Sequence, residues 1–273
     1  MNTKQVINDR IRGALYGFAI GDAMGATTEF MTAGQIRNRY GYIDDIIGGG
    51  WLNLQRGQVT DDTQMSMCIM DAIKISSTKF GFERAVIRNF INWYSGNPVD
   101  IGNQCAKGIR SLMRGTKLHS DDNACGNGSL TRALPCALLG NLDWNITQGN
   151  LTHPSSLCTN AITAYHKFII DMVYSMDFRF TPYTENLMEP TGYVVNTLNN
   201  AVYWLNAGSF EDCIIGSVND GGDSDTIAAI SGSLSGARWG MQAIPEKWIF
   251  GVDLEVRNAL DSFAQYIMDM QDL

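Results

Sequence analysis

Two short acidic motifs carry the side chains best suited to chemistry in this sequence. The first acidic motif is Thr60-Asp61-Asp62-Thr63, and the second is Gly221-Gly222-Asp223-Ser224-Asp225-Thr226. If the fold brings the motifs together, their four carboxylates repel one another unless cations neutralise them. Oxygen ligands suit hard divalent ions. The motifs therefore suggest a site for two metal ions, Mg²⁺ or Mn²⁺.

Each motif also has a purely structural interpretation. A hydroxyl residue followed by aspartate begins many helices, because it caps free amides and complements the helix dipole. A calcium loop is excluded, since Ala228 and Leu234 stand where such a loop needs glycine and glutamate. A phosphatase DxDx[TV] motif should follow a buried strand, whereas Gly221-Gly222 precedes this one. The chain has no HExxH motif and no Cys/His cluster, which argues against zinc.

Composition narrows the class of protein. The 273 residues include 20 basic and 28 acidic side chains, a net charge of −8, with no basic run. Nucleic acid and anionic membranes are therefore poor partners. The start of the chain lacks an apolar signal region, no segment approaches the ~20 apolar residues of a membrane span, and the six cysteines form no CxxC pair. We predict a soluble, cytoplasmic protein with reduced thiols.

Apolar residues recur at helical spacing along most of the chain, and no segment alternates with a period of two. The clearest stripes run through residues 86–94, 162–176, 193–205 and 256–270. Residues 177–192 are predicted to form a long loop, and loops of that length are often functional. We predict an all-α fold in which residues 1–273 form a single domain.

Two glycine repeats have the four-residue spacing of one helix face. The first glycine repeat is Gly13, Gly17, Gly21 and Gly25, and the second glycine repeat is Gly232, Gly236 and Gly240. Such a face lets another helix approach closely. Arg12, Asp22 and Glu29 lie around the first repeat, so packing inside a soluble helical bundle is favoured over a membrane dimer face.

An ordered set of motifs resembles the ADP-ribosylglycohydrolase family. The matching segments are Gly21-Asp-Ala-Met-Gly25 with Glu29, Ile47-Gly-Gly-Gly50, Gly57-Gln-Val-Thr60-Asp61-Asp62-Thr63-Gln-Met65, Pro98-Val-Asp100-Ile-Gly102, Gly126-Asn127-Gly128-Ser129, Thr152-His153-Pro154, Pro190-Thr-Gly-Tyr193-Val-Val, Ser209-Phe-Glu-Asp-Cys213 and Gly221-Gly-Asp-Ser-Asp-Thr226. The resemblance covers about residues 10–245. Each segment is weak alone, but the order of the set is specific.

The resemblance implies an all-α fold that binds two Mg²⁺ or Mn²⁺ ions and hydrolyses ADP-ribosylated protein. It assigns Thr60, Asp61 and Asp62 to one side of the metal pair, and Asp223, Asp225 and Thr226 to the other. Two carboxylates would act in catalysis. Glu29 would position or activate water, and Asp100 would assist opening of the ribose ring or protonate it. On sequence alone, Glu29 could equally be an exposed loop acid and Asp100 a helix cap.

The same resemblance assigns substrate binding to a glycine-rich segment and two aromatic side chains. Backbone amides of Gly126, Gly128 and Ser129, within the segment that includes Asn127, suit a diphosphate. A simple turn is the alternative for this segment. His153 would contact the same ligand or have a structural role, and Tyr193 would stack on adenine or pack in the core.

The expected reaction is cleavage of the N-glycosidic bond of ADP-ribosylated arginine, because the 98–102 and 190–195 segments resemble the arginine-specific branch. Partners would be a mono-ADP-ribosylated protein, ADP-ribose and a cognate ADP-ribosyltransferase. One departure is Thr131 before Arg132, where the family usually has an apolar residue; it could alter contacts around the ribose. Two alternatives stay open. One is a binding or immunity protein that blocks an ADP-ribosyltransferase, and the other is a phosphatase that releases inorganic phosphate.

Overall fold

The protein, seen in a computed structural model that describes residues 2–121, 125–182 and 186–270, is built from α-helices. In these ranges no β-strand occurs, and extended pairing is limited to three isolated bridges. The helices are α1 Thr3–Gly25, α2 Ala33–Tyr40, α3 Asp61–Lys74, α4 Lys79–Ser95, α5 Asn103–Met113, α6 Gly128–Thr131, α7 Leu134–Leu138, α8 Leu142–Asn150, α9 Ser156–Tyr174, α10 Val194–Trp204, α11 Phe210–Asp220, α12 Ser224–Trp239, α13 Glu246–Gly251 and α14 Leu254–Met270, with a 3₁₀ turn at Met241–Ala243. The predicted all-α fold is confirmed.

Helices α1 and α12 pack along their glycine faces at the centre of the fold. A Cβ atom on Gly17 would lie 2.1 Å from the carbonyl oxygen of Gly232, and one on Gly21 would lie 2.0 Å from that of Ala228. Such distances exclude a side chain, so the two backbones touch. The predicted close packing is confirmed, and the structure adds that the two repeats face each other.

The apolar stripes read from the sequence lie in helices α4, α9, α10 and α14. Helix α4 ends at Ser95, and Gly96 occupies its C-cap position. Helix α14 packs against α1, so the first and last helices meet in the hydrophobic core. The described parts of 175–193 contain no helix, as predicted; residues 183–185 of this loop lie outside the described ranges. No described helix is both long and apolar enough to cross a membrane.

The α1–α12 contact also positions the two acidic motifs. A Cβ on Gly25 would lie 2.4 Å from the carbonyl oxygen of Ser224 and 2.5 Å from Cα of Asp225. The second acidic motif is therefore held against the C-terminal end of α1. Three residues earlier on α1, Asp22 contacts the start of α3, which carries the first acidic motif.

Candidate active site

A cavity of about 550 Å³ opens where the two acidic motifs meet. Six carboxylates line it: those of Glu29, Asp61, Asp62, Asp100, Asp223 and Asp225. Its described lining contains no lysine or arginine. The remaining walls include Phe30, Trp51, Gly126, Asn127 and His153. The cavity is therefore an acidic pocket with aromatic and glycine-rich sides.

The first acidic motif is held by hydrogen bonds from within the protein. The Thr60 hydroxyl caps α3 by accepting the amide hydrogen of Asp62 at 3.3 Å. Asp22, fully buried, accepts hydrogen bonds from the amides of Thr60 and Thr63, both at 3.0 Å, and from the Thr63 hydroxyl. The structural interpretation thus holds for the Thr60 hydroxyl, while Asp61 and Asp62 line the cavity.

The second acidic motif is less fully satisfied. Asp223 occupies the N-cap position of α12, but its side chain makes no capping bond and accepts a hydrogen bond from the Asn127 amide instead. Thr226 donates its hydroxyl hydrogen to Asp62 at 2.8 Å, which links the two motifs. Oδ1 of Asp225 is buried without a hydrogen-bond partner among the described residues. Helix capping therefore does not explain this motif.

Burial and mutual repulsion raise the pKa values of the cavity carboxylates. Desolvation is the main cause for each. Burial, together with the negative charges of nearby Asp100, Asp223 and Asp61, raises the pKa of Glu29 to about 8. Similar causes raise the pKa of Asp61 to about 7, and burial raises that of Asp223 to about 6 although Asn127 opposes the change. The pKa values of Asp62 and Asp225 are also well above the usual range.

These residues fit a divalent cation. Carboxylate oxygens of Glu29, Asp223 and Asp225 lie within 4.8 Å of one another. The unpartnered Oδ1 of Asp225 is a buried acceptor of the kind a cation would satisfy. The donors are oxygen atoms alone, which suits hard ions. Glu29, considered only for catalysis on sequence grounds, thus also lies among the candidate ligands.

The structural alternatives for the two predicted catalytic residues, Glu29 and Asp100, are wrong. Glu29 is not an exposed loop acid, because only 6% of it is exposed and its Oε2 accepts a hydrogen bond from the Trp51 indole at 2.6 Å. Asp100 is not a helix cap, since Gly102 caps α5. The Asp100 carboxylate accepts the amide hydrogen of Ile101 at 2.8 Å and faces the cavity.

The glycine-rich segment forms another wall of the cavity. Gly126, Asn127 and Gly128 line it, whereas Ser129 is buried. A Cβ on Gly128 would lie 2.7 Å from Sγ of Cys105, so a side chain does not fit there. The segment leads into the helical turn α6 rather than forming a simple turn. Thr131, the departure from the family pattern, is buried, donates its hydroxyl hydrogen to the Gly128 carbonyl and is not among the residues that line the cavity.

His153 and Tyr193 differ in their surroundings. His153 is 2% exposed and lines the cavity beside Gly126 and Gly128. Tyr193 is 42% exposed and precedes α10, so the core-packing alternative is wrong for this residue. Its backbone pairs with Gly126 in an isolated bridge, which places it next to the glycine-rich wall.

A buried arginine supports this wall from behind. Arg132 is fully buried and donates to Gln148, to the Gly128 carbonyl and to the Thr152 hydroxyl. The Thr152 hydroxyl lies 2.7 Å from Nδ1 of His153. Burial and the positive charge of Arg132 hold the pKa of His153 well below its usual range. His153 is thus a neutral side chain in contact with a hydrogen-bonded support.

Sequence reasoning missed Asp22 and Trp51. An acidic residue inside an apolar stretch of α1 is a signal of a buried role for Asp22, but on sequence grounds Asp22 is placed only beside a glycine repeat and within the family-like segment Gly21–Gly25, with no role of its own. Trp51 stands in a short turn in which Gly49 pairs with Leu54. No local pattern there connects it with Glu29.

Comparison with known proteins identifies the family of this chain. The sequence profile described as ADP-ribosylglycohydrolase matches residues 3–177 and 175–272. The chain belongs to the ADP-ribosylglycohydrolase family. It is 34% identical to the ADP-ribosyl-[dinitrogen reductase] glycohydrolase of Rhodospirillum rubrum, over 93% of this chain and 94% of that protein. It is 31% identical to the ADP-ribosylarginine hydrolase Tri1 of Pseudomonas putida, over 88% of this chain and 73% of that protein.

A solved structure titled ADP-ribosylglycohydrolase-related protein complex has the same fold. It aligns with a TM-score of 0.81 at 24% identity, and the match covers 97% of this chain and 99% of that one. The resemblance noted from the motifs is therefore confirmed at the level of family and fold. Family membership supports a hydrolase that acts on ADP-ribosylated substrates.

Proposed function

We propose that this protein is a metal-dependent hydrolase that cleaves the N-glycosidic bond of ADP-ribosylated arginine and releases ADP-ribose. The observation that carries the proposal is the oxygen cluster of Glu29, Asp223 and Asp225 in a cavity that also has a glycine-rich wall. Two relatives are named for hydrolysis of ADP-ribosylated dinitrogen reductase and ADP-ribosylarginine, which favours the arginine linkage.

The proposed metal ligands come from both acidic motifs. Asp61 and Asp62 would contribute from one side, and Asp223, Asp225 and Thr226 from the other. Thr60 would act mainly by shaping its motif, because its hydroxyl already caps α3. Two Mg²⁺ or Mn²⁺ ions bound there would hold the ribose hydroxyls and polarise the anomeric carbon. Residues 1–273 would form a single domain that contains the whole site.

The protein's own groups would then act on the bond to arginine. In hydrolysis, a water oxygen bonds to C1″, the bond from C1″ to the guanidine nitrogen breaks, and that nitrogen takes up a proton. Glu29 would position or activate the water, and Asp100 would assist opening of the ribose ring or protonate it. Carboxylates near C1″ also stabilise the positive charge that develops on the sugar. Gly126, Asn127, Gly128, Ser129 and His153 would hold the diphosphate side, and Tyr193 would stack on adenine.

The test compares two matched peptides, one ADP-ribosylated on arginine and the other on serine, with Mg²⁺, with Mn²⁺ and with excess chelator. We expect metal-dependent release of ADP-ribose from the arginine peptide. Unchanged turnover in chelator would refute the metal requirement, and preference for the serine peptide would refute the linkage. Release of inorganic phosphate alone would instead indicate a phosphatase. Tight binding of ADP-ribose without turnover would indicate a binding protein that blocks an ADP-ribosyltransferase.

Asp100 provides a sharper test of the mechanism. Asp100→Asn should lower kcat at least about a hundredfold while the Kd for ADP-ribose changes less than about threefold, because a proton-transfer group acts mainly in the transition state. Asp143→Asn, which alters an exposed carboxylate outside the cavity, is the matched control. Weak binding with normal kcat would make Asp100 a binding residue.

A further inference from the structure

An exposed pair of aromatic rings stands at the mouth of the cavity, beside Glu29. Phe30 and Trp51 are 67% and 52% exposed, and their ring centroids lie 5.4 Å apart. Both side chains line the acidic cavity. Large apolar side chains grouped at the rim of a pocket are typical of binding surfaces. The reaction chemistry described above does not use either ring.

Phe30 is also held in an unfavourable backbone conformation. Its φ angle is +62°, in the left-handed region that bulky residues rarely adopt. The backbone is fixed there because the Phe30 amide donates to the Gly222 carbonyl at 2.7 Å, and the Gly222 amide donates to the Met31 carbonyl. Exposure and backbone strain both cost stability, and such strain persists mainly at functional sites. A structural role for the ring explains neither cost.

Trp51 is fixed from two sides. Its indole N–H donates to Glu29, and the turn that carries it packs closely on the chain after α1. A Cβ on the neighbouring Gly50 would lie 2.2 Å from the Ala26 carbonyl oxygen, and Thr27 donates its hydroxyl hydrogen to the Gly48 carbonyl. The face of the indole is thus presented next to a carboxylate in a rigid setting.

Aromatic faces beside carboxylates suit a planar cation. A guanidinium group stacks on tryptophan or phenylalanine through cation–π attraction and donates hydrogen bonds to carboxylates. The cavity supplies Glu29 and Asp100 and has no basic side chain in its described lining. Charge therefore favours a cation over the neutral adenine base at this position.

We propose that Phe30 and Trp51 form the subsite that binds the guanidinium group of the target arginine, on the leaving-group side of Glu29. The inference deepens the proposed function and depends on it for the identity of the substrate. It assigns selection of the modified side chain to two residues that are not candidate metal ligands. Trp51 is linked to one of those ligands by its hydrogen bond to Glu29.

The first experiment measures binding without turnover. Protein saturated with Mg²⁺ and ADP-ribose is titrated with agmatine, a guanidinium probe, and with its neutral urea counterpart N-carbamoylputrescine. We expect wild type to bind agmatine more tightly than the neutral compound, and Phe30→Leu to weaken agmatine binding about 5- to 30-fold, the range of a cation–π contact. Phe80→Leu, which replaces a phenylalanine that is 68% exposed on α4, is the matched control.

The second experiment measures kinetics and stability. Phe30→Leu should raise KM for the arginine peptide by a similar factor and leave the Kd for ADP-ribose within about twofold. Trp51→Phe should retain more agmatine affinity than Trp51→Leu. Phe30→Gly should unfold at or above the wild-type temperature, because glycine accepts the positive φ.

The outcomes separate the subsite from the proposed function. Equal binding of agmatine and the urea compound by the wild type would overturn the subsite. An ADP-ribose Kd that rises in Phe30→Leu as much as KM would also overturn it, because that result would place the rings against the nucleotide. Lower stability of Phe30→Gly with unchanged agmatine binding would make the pair structural and overturn it too. Failure of the wild type to cleave ADP-ribosylarginine, with agmatine still preferred, would refute the proposed function alone.

Discussion

The two acidic motifs have similar sequences at the starts of two helices, but the protein treats them differently. In the first acidic motif, Thr60 caps its helix and the backbone is bound by Asp22. In the second acidic motif, Asp223 caps nothing and Asp225 keeps an unpartnered oxygen. Buried polar groups without partners are rare. The comparison indicates that the first motif is held in place by the protein, whereas the second leaves a buried acceptor without a partner among the described residues.

The largest expected effect comes from removing the unpartnered carboxylate. Asp225→Asn should abolish tight Mn²⁺ binding, measured by calorimetry, and lower turnover roughly a thousandfold, since metal ions supply several kcal/mol of transition-state stabilisation. In chelator its free energy of unfolding should not fall. Burial and nearby carboxylates raise the pKa of Asp225 well above its usual range, so without metal an amide resembles the protonated acid.

Asp22→Asn should behave in the opposite way. It replaces a buried acceptor of hydrogen bonds from Thr60 and Thr63, so the free energy of unfolding should fall by about 2–4 kcal/mol even in chelator. Asp71→Asn, which alters an exposed carboxylate on α3, is the control for both variants. If Asp225→Asn destabilises the metal-free protein as much as Asp22→Asn, the contrast between the motifs is wrong.

The second prediction moves the second acidic motif without changing its ligands. Gly25→Ala places a methyl group about 2.4 Å from the Ser224 carbonyl oxygen, so α12 must shift. We expect a loss of about 3 kcal/mol in the free energy of unfolding and weaker Mn²⁺ binding. Gly34→Ala on the exposed face of α2 meets only Thr32 Oγ1 at 3.9 Å, and it should instead stabilise by about 0.5–1 kcal/mol. Unchanged metal affinity in Gly25→Ala would separate the helix contact from the site.

The third prediction concerns pH. The raised pKa values of Glu29, Asp61 and Asp223, about 8, 7 and 6, mean that the folded metal-free protein binds more protons than the unfolded chain. Its stability is therefore greatest below the unfolded pKa values of about 4 and falls as pH rises from there to about 8, the highest of the three folded pKa values. Metal binding displaces these protons, so the free energy by which metal stabilises the fold should grow over the same range, by about 1.4 kcal/mol per pH unit for each proton displaced, and the metal-induced rise in Tm should grow with it. Thermal unfolding with and without Mn²⁺ at several pH values measures both trends, and a metal effect independent of pH would contradict the assignment.

The helices were more predictable than the contacts of the site. Apolar spacing located α4, α9, α10 and α14, because each buries one face against the core. Each glycine repeat indicated a close helix neighbour, but only the folded chain shows that α1 and α12 are neighbours of each other. Asp22 acts on residues 38 and 41 positions away. Such pairings depend on tertiary approach, and no local pattern encodes them.

Local rules also misplaced individual side chains. Asp100 has the sequence surroundings of a cap, yet Gly102 takes that position. Tyr193 continues an apolar stripe, but the helix begins one residue later and the ring is left exposed. In both cases the boundary of a helix decided the role of the side chain. Boundaries are the least reliable part of a prediction from sequence.

The smallest expected effect tests the support behind the glycine-rich wall. Because Arg132 donates to the Thr152 hydroxyl, that hydroxyl can give its own hydrogen to Nδ1 of His153. Nδ1 is then an acceptor, and Nε2 carries the hydrogen beside Gly126. Because its pKa lies well below the usual range, His153 is neutral. Even so, its Nε2–H would offer a hydrogen-bond donor to the diphosphate. Thr152→Val removes this orientation while keeping the side-chain volume.

We expect Thr152→Val to raise the Kd for ADP-ribose roughly 2- to 10-fold, the worth of one hydrogen bond, while Thr163→Val, at an exposed position of α9, leaves it unchanged. The direct measurement is ¹⁵N chemical shifts of the imidazoles in wild type, which has three histidines to assign. Hydrogen on Nε2 of His153 supports the orientation, and hydrogen on Nδ1 contradicts it. A Kd that changes equally in both variants would assign the effect to general loss of stability. Because His153 lies on the glycine-rich wall and makes no side-chain hydrogen bond to either acidic motif among the described residues, Mn²⁺ affinity should stay constant in Thr152→Val, whereas Asp225→Asn loses it.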